Sequence, residues 1–426
     1  MTQDLRSGLD ACVHCGFCLS ACPTYLALDD ENDSPRGRLV LMRALLDGRV
    51  DAGDADLSRH LDQCLGCRGC ETACPSGVPY GHLLEATRAT MLEHKPLPWL
   101  ARLVLAVFAR GWLLRPALFA ARLIRVSGIA RLAARVLPRR LAFPAAMLAS
   151  TARAQAATWT PQPQGSRSGA QSAHNSNGPR TALLTGCAME GLLPTVNRAT
   201  ERVLAHNGHQ MVPARGQVCC GALHAHAGDA GTARDLARRN IAAFERSGAE
   251  HIAMNSAGCG AMCRDYGRLL ADDPAWAARA EAFSAKVRDV SELLAAAGPR
   301  PTRGTASRTN VAWDAPCHLE HAQRVKAPPL QVLAAIGNIA AQPLPDADQC
   351  CGSAGIYTLL QPELSAQVLA PKLARIHESG AAVVATANPG CLMQIGAGLL
   401  QGGRGTVARH PVELLDAAYA AEARTD

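Results

Sequence analysis

Two runs of cysteine constrain this chain more than any other feature of its 426 residues. Residues 12–23 read CVHCGFCLSACP and residues 64–75 read CLGCRGCETACP; both follow C-x₂-C-x₂-C-x₃-C-P. The chain holds 17 cysteines, and an odd total argues against complete disulfide pairing. Residues 1–11 lack the basic start and apolar run of a secretory signal, so no disulfide framework is expected. Dense cysteine in a reducing compartment reads instead as metal or redox chemistry.

The spacing is that of the bacterial two-cluster ferredoxin run, in which three cysteines bind one iron–sulfur cluster and the fourth binds the other. Two-residue spacers let three thiolates converge on one cube. Gly16, Gly66 and Gly69 are placed to let the backbone fold tightly and turn amides toward sulfide. The fourth cysteine of each run is expected to start a helix that crosses to the second cube. The motif thus implies Cys12, Cys15, Cys18 and Cys74 on one 4Fe–4S cluster, and Cys64, Cys67, Cys70 and Cys22 on the other. The exchange of Cys22 and Cys74 comes from the motif, not from the spacing. Structural zinc, the alternative, usually takes two separated cysteine pairs and fits two complete four-cysteine runs poorly. His14, between two ligands, is expected to pack or face solvent. The 41-residue insert 23–63 contains SPRGRLVLMRALLDG, which reads as a helix with a basic start.

From residue 180 the sequence repeats itself. Cys187 recurs as Cys317, the Cys219–Cys220–Gly221 triplet as Cys350–Cys351–Gly352, and Cys259 as Cys391, at offsets of 130, 131 and 132 residues. Each copy has a short apolar run ending at a cysteine, a second short strand leading to CCG, a long amphipathic helix (234–246; 363–378), and a further apolar run ending at a cysteine. Strands alternating with helices predict an α/β domain with a largely parallel sheet, and cysteines at strand ends fall where such sheets place their sites. Vicinal cysteines point to opposite sides of a strand, so using both needs a turn, which the following glycine permits.

The pattern resembles the cysteine-rich CCG domain of heterodisulfide reductase-type electron-transfer subunits. That resemblance implies thiolates from distant loops converging on an iron–sulfur cluster of unusual shape, or on zinc. Cys187, Cys219, Cys220 and Cys259 are the candidate ligands in the first copy, and Cys317, Cys350, Cys351 and Cys391 in the second. The fuller motif ends C-x-x-C; here the first copy has Cys263 after Cys259 with three residues between them, and the second has no partner for Cys391. His224, His226 and His318 lie near these cysteines and are expected to be hydrogen-bonding residues, not ligands.

Composition fills in the rest. Hydrophobic residues at 48% exclude global disorder, and aromatics at 4% mean cores of Ala, Leu and Val. No run of about 18 uncharged apolar residues predicts a transmembrane helix. The net charge of +7 is uneven: residues 94–189 carry Lys95, twelve arginines and no acid, or +13, which leaves −6 for the remainder. The expected organisation is α+β and multidomain. A helical two-cluster ferredoxin-like domain (1–95) is followed by a basic helical connector (96–158) cut by Pro116, Pro138 and Pro144, a flexible linker (159–179), and two homologous α/β CCG domains (180–298 and 308–424).

CVHCGFCLSACPTY, then DSPRGR, then CLGCRGCETACPSGVPYGHLL, then two CCG copies with CCGSAGIYTL and TANPGC, resembles the iron–sulfur subunits of bacterial glycolate oxidase. The resemblance covers the chain apart from the 159–179 linker. It implies electron transfer from FAD-containing subunits, which oxidise glycolate to glyoxylate, through two 4Fe–4S clusters toward a membrane quinone-type acceptor. It also implies a place on the cytoplasmic face of the inner membrane. Related readings are the iron–sulfur subunits of lactate or glycerol-3-phosphate dehydrogenases, and a heterodisulfide reductase-like thiol/disulfide protein. No G-x-G-x-x-G follows a strand and no flavin fingerprint is evident, so no catalytic residue is expected; nor is a nucleic-acid partner.

Overall fold

The computed structural model describes residues 2–152, 178–303, 308–403 and 405–423. The expected linker lies outside the described residues apart from its last two positions. The architecture is α+β and multidomain, with helices first and two small parallel sheets after them.

The N-terminal part is built from the helices Thr2–Asp10, Pro23–Leu28, Pro35–Leu46, Ala55–Asp62, Gly69–Ala73 and Tyr80–His94. SPRGR starts its helix as the residues dictate. Ser34 caps it by accepting from the Gly37 amide at 3.0 Å, and Pro35 occupies the first turn. Leu39, Met42, Leu57, Leu61, Leu83 and Leu84 close a core beneath the cysteine loops. Cys22 precedes a helix, as expected, but Cys74 does not. It ends the helix Gly69–Ala73, and the turn at Pro75–Gly77 delays the next helix to Tyr80.

Four helices follow: Trp99–Ala109, Gly111–Val126, Ile129–Val136 and Arg139–Ser150. Of the three prolines expected to cut this segment, only Pro138 stands at a break. Pro116 and Pro144 lie inside helices, each at the sixth residue, where the missing N–H costs one bond beside a first turn that is unpaired anyway. The first two helices meet at 105°, and no single helix among the described residues is long and apolar enough to cross a membrane.

The first repeat has strands β1 (Arg180–Leu183), β2 (Gln210–Met211), β3 (His251–Met254) and β4 (Val287–Asp289), in the order β2-β1-β3-β4. The second has β5 (Thr309–Trp313), β6 (Ile339–Pro343), β7 (Val383–Ala385) and β8 (Val407–Arg409), in the order β6-β5-β7-β8. Every pairing is parallel. Leu183 pairs with Ala253 and Trp313 with Ala385, so the repeat offsets seen in the sequence hold in the register. The predicted amphipathic helices are Ala230–Ser247 and Pro362–Glu378. They bury equivalent positions: Ala233 and Ser365, Ala237 and Leu369, Asn240 and Lys372, Phe244 and Ile376. One hydrophobic core joins the repeats, running from Leu183, Val196 and Val203 to Val311, Val383 and Leu415. Burying each such side chain contributes roughly 1.5–3 kcal/mol.

Candidate electron-transfer site

The two ferredoxin-type loops fold alike. In the first, His14 and Gly16 take positive φ (55° and 87°); in the second, Gly66 and Arg68 do (62° and 64°). A left-handed residue on each side of the second cysteine curls the loop so that its thiols face one space. Gly69 serves differently from what was expected: it lies in a helix, where an added Cβ would come within 3.1 Å of the Ala21 carbonyl.

The thiols line two neighbouring cavities. Cys12, Cys15, Cys18 and Cys74 line one; Cys22, Cys64 and Cys67 line the other; Cys70 borders both. Burial pushes the Cys18 thiol up to about 11. Burial also pushes up Cys67 and Cys70, with neighbouring thiols adding to it: Cys350 for Cys67, and Cys67, Cys64 and Cys22 for Cys70. Dry, crowded thiols cannot all give up protons unless a cation joins them. The second cavity also offers hydrogen bonds to sulfur, since Cys64 Sγ accepts from the Gly66 amide at 3.4 Å and from the Tyr80 hydroxyl at 3.5 Å. All-thiol donor sets with N–H and O–H donors behind them fit iron–sulfur groups.

Arg38 is fully buried on the wall of the second cavity. Its Nε donates to the His60 carbonyl at 2.7 Å, one Nη to Thr24 Oγ1 at 2.9 Å, and the other to Asp33 at 3.0 Å. Thr24 Oγ1 in turn lies 3.3 Å from Cys22 Sγ. The basic start read from the sequence is therefore a buried cation held beside a thiol set.

In each repeat the four candidate cysteines come together beyond the carboxyl ends of the strands. Two of them follow β1 and β3, or β5 and β7, the adjacent pair where the strand order reverses. Cys187 and Cys219 have their sulfurs 3.7 Å apart, and Cys351 and Cys391 theirs 3.3 Å apart. Cys220 hydrogen-bonds to Cys219 and Cys259, and Cys350 to Cys317 and Cys351. The glycine after each vicinal pair is required: Gly221 and Gly352 have φ of 88° and 84°, and a Cβ on Gly352 would meet the Ser365 carbonyl at 2.6 Å. Hydrogen bonds from Cys187 and Cys220 pull Cys219 well down, and one from Cys220 pulls Cys259 down. In the second repeat Cys350, Cys351 and Cys391 all lie above the usual thiol range, chiefly through hydrogen bonds they donate to neighbouring thiols and burial. All 17 cysteines are unpaired thiols.

The second repeat is docked against the second ferredoxin-type loop. Cys67 and Cys317 share an apolar cluster with Leu65, Cys350 and Tyr357. The seam is pinned by His318 Nε2 on the Gly66 carbonyl (2.9 Å), His321 Nδ1 on Thr72 Oγ1 (2.6 Å) and the Tyr357 hydroxyl donating to the Gln63 carbonyl (2.8 Å). The repeats meet through Asn388, whose side chain accepts from the Gly258 amide at 3.1 Å and donates to Cys391 Sγ at 3.5 Å.

Known proteins fit this layout. A profile described as "4Fe-4S dicluster domain" matches residues 8–78, and one described as "Cysteine-rich domain" matches 181–264 and 311–396. The chain is 37% identical over 421 residues to the glycolate oxidase iron–sulfur subunit of Escherichia coli, covering 97% of this chain and 95% of that one. It is 36% identical over 409 residues to the probable glycolate oxidase iron–sulfur subunit of Bacillus subtilis, covering 91% and 88%. The chain belongs to the family of glycolate oxidase iron–sulfur subunits. Lactate utilization protein A of Exiguobacterium sp. is 31% identical over 238 residues, 97% of its own length but 56% of this chain.

Membership makes the chain an iron–sulfur electron-transfer protein and a subunit within an oxidoreductase family. Sequence reasoning alone missed Arg38, Tyr80 and the histidine seam. His224, His226 and His318 do hydrogen-bond, but across domains: to the Leu105 carbonyl, to Glu85 and to the Gly66 carbonyl. Single polar residues facing another domain leave no periodic signal. The DSPRGR segment, which holds Asp33 and Arg38, was the one hint.

Proposed function

We propose that this chain is the electron-transfer subunit of a glycolate-oxidising complex. FAD-containing partner subunits convert glycolate to glyoxylate, and this chain passes the electrons to a membrane quinone. Cys12, Cys15, Cys18 and Cys74 hold one 4Fe–4S cluster and Cys22, Cys64, Cys67 and Cys70 the second; the CCG thiols hold a further iron–sulfur cluster or zinc. Such clusters, when bound, supply one-electron carriers. The protein's residues supply the rest. Arg38 places a fixed positive charge beside the second set, Tyr80 and Gly66 donate to Cys64, and the seam packs Cys67 against the second repeat. The observation that carries the reading is continuity: Cys70 borders both ferredoxin-type cavities, and Cys67 packs with Cys317 and Cys350.

The complex sits on the cytoplasmic face of the inner membrane through the connector helices. Their outer side leaves Trp99, Trp112, Phe119, Val126 and Val136 between 62% and 79% exposed, which suits an interfacial layer. The arginines do not all face lipid. Arg122 donates to the Gly191 carbonyl at 2.6 Å and Arg125 to the Leu192 carbonyl at 2.7 Å, bracketing the connector to the first repeat. Arg131 and Arg135 are exposed beside the apolar residues and would meet anionic headgroups. Lactate as the partner's substrate is less favoured, because that relative matches only 56% of this chain.

The test is anaerobic purification of the full chain, metal analysis, and reconstitution with its flavin partners. The reading expects about eight irons in the N-terminal sets, a cubane-type EPR signal on reduction, and glycolate-dependent quinone reduction. Zinc without that signal, or lactate but not glycolate as the electron source, would overturn it.

A further inference from the structure

A cavity of about 540 Å³ lies where four parts meet: the second ferredoxin-type loop, the start of the connector, and both repeats. Its volume is within the roughly 300–1,000 Å³ of small-molecule sites. The thiol-bearing loop forms part of the wall directly, through Cys64 and Leu65. Met91, Leu92, Leu223 and Leu360 make most of the remainder apolar. Pro96, Pro98 and Leu100 border it at the start of the helix Trp99–Ala109. Trp99 and Leu103, on the same helix, are 70% and 54% exposed.

We propose that this cavity binds the quinone ring of the electron acceptor. The proposal rests on the reading above that the acceptor is a membrane quinone, and adds where it sits. The chemistry of the walls selects it. A redox-active ligand beside Cys64 would be placed to exchange electrons with the second thiol set, and walls of Leu and Met favour a weakly polar ring. Phosphate-bearing carriers such as nicotinamide or flavin nucleotides are poorly served. Arg88 commits its guanidinium to the carbonyls of Leu61 (2.7 Å), Cys64 (2.8 Å) and His226 (2.9 Å), and the other two charged groups on the wall, Asp62 and the exposed Lys95, offset each other.

His226 supplies a polar contact. Glu85 holds its Nδ1 at 3.0 Å, and Nε2 has no hydrogen bond among the described residues. Carrying a proton, that nitrogen donates to a quinone carbonyl; without one, it accepts from a quinol hydroxyl. Tyr357 also lines the space and packs with Cys350, so the cavity touches the second ferredoxin-type set and the second repeat at once. The balance is simple. Two electrons from hydroxyacid oxidation in the partner, delivered through the thiol-held iron–sulfur groups, and two protons from water convert the quinone to quinol. An apolar tail would leave past Leu100, along the exposed side of the connector.

The experiment uses the full-length protein, purified anaerobically with its iron–sulfur content and held in detergent. A photoreactive azido-ubiquinone is cross-linked to the wild type and the labelled peptides are mapped. Decylubiquinone affinity is then measured for the wild type and for Leu92→Trp and Leu360→Trp, each of which fills part of the space, with iron content and melting temperature as controls for folding. Labelling confined to residues 58–100, 223–227 or 354–361, and affinity at least about tenfold weaker in a variant with wild-type iron content, bear the proposal out; tenfold is about 1.4 kcal/mol. Labels elsewhere, or folded variants that bind as the wild type does, overturn the site while leaving the quinone reading standing. A wild type that binds no quinone overturns both.

Discussion

The two CCG repeats share their sheet order, the register of their strands and the positions their long helices bury. They differ just behind the thiols. Where the first repeat has Leu184 and Met254 in an apolar cluster, the second has Asp314 and Thr386, joined by a hydrogen bond of 2.8 Å. Where the first has Asn240, the second has Lys372, buried against Asp314 and bonded to the Ala347 carbonyl at 2.8 Å. Where the first has Cys263, the second has Ile395, and both are fully buried. Duplication kept the scaffold that gathers four thiols and let the charge behind them diverge. In the first repeat Asn240 organises the vicinal pair, accepting from the Val218 amide at 2.8 Å and donating to the Cys219 carbonyl at 3.0 Å. In the second, an ion pair takes that place, and this is the repeat whose thiols adjoin the ferredoxin-type loop.

The largest expected difference is in electron flow. Cys351→Ser should stop most glycolate-dependent quinone reduction in the reconstituted complex, and Cys219→Ser should leave a measurable part. Equal losses would erase the distinction between the repeats. The buried charges come next. Lys372→Met leaves Asp314 without its partner and should destabilise the chain by about 3–5 kcal/mol in urea denaturation, with Lys372→Met/Asp314→Leu recovering most of it. The corresponding change in the first repeat, Asn240→Ala, strands an amide and a carbonyl and should cost about 1–3 kcal/mol. A larger loss at Asn240 than at Lys372 would reverse the argument.

The effect that is smallest at neutral pH concerns the seam between the repeats. His410 Nε2 donates to the Asn255 carbonyl at 3.0 Å, and burial lowers its pKa to about 3. The unfolded chain binds a proton below about 6.5 that the folded chain refuses, so stability should fall as pH drops from about 6.5 toward 3, by at most about 1.4 kcal/mol per pH unit. Thermal melts of His410→Gln should show a flatter profile over that window.

Much of this was legible because it rests on repetition. Cysteines at offsets of 130, 131 and 132 fix the register of two domains, and strand runs such as TALLTGC and NVAWDAPC carry enough apolar residues to be read. The strands β4 and β8 were not legible, since VRD and VAR are three residues long with no alternation to count. Pro116 and Pro144 misled because a proline near a helix start is tolerated, which the residue alone does not reveal. Arg38 and Lys372 are residue types expected at the surface, and only the fold places them beside thiols. The cavity at Cys64 is assembled from four separate stretches of chain, which no local pattern records.

The thiols of the second repeat, not those of the first, pack against the second ferredoxin-type set. Pulsed EPR on the anaerobically reduced, full-length protein reads this directly as magnetic coupling between neighbouring paramagnetic centres. With an iron–sulfur centre in the second repeat, the signal of the Cys22, Cys64, Cys67 and Cys70 set is expected to be broadened by that centre in the wild type and in Cys219→Ser, and to narrow in Cys351→Ser. Narrowing in Cys219→Ser with no change in Cys351→Ser would contradict it.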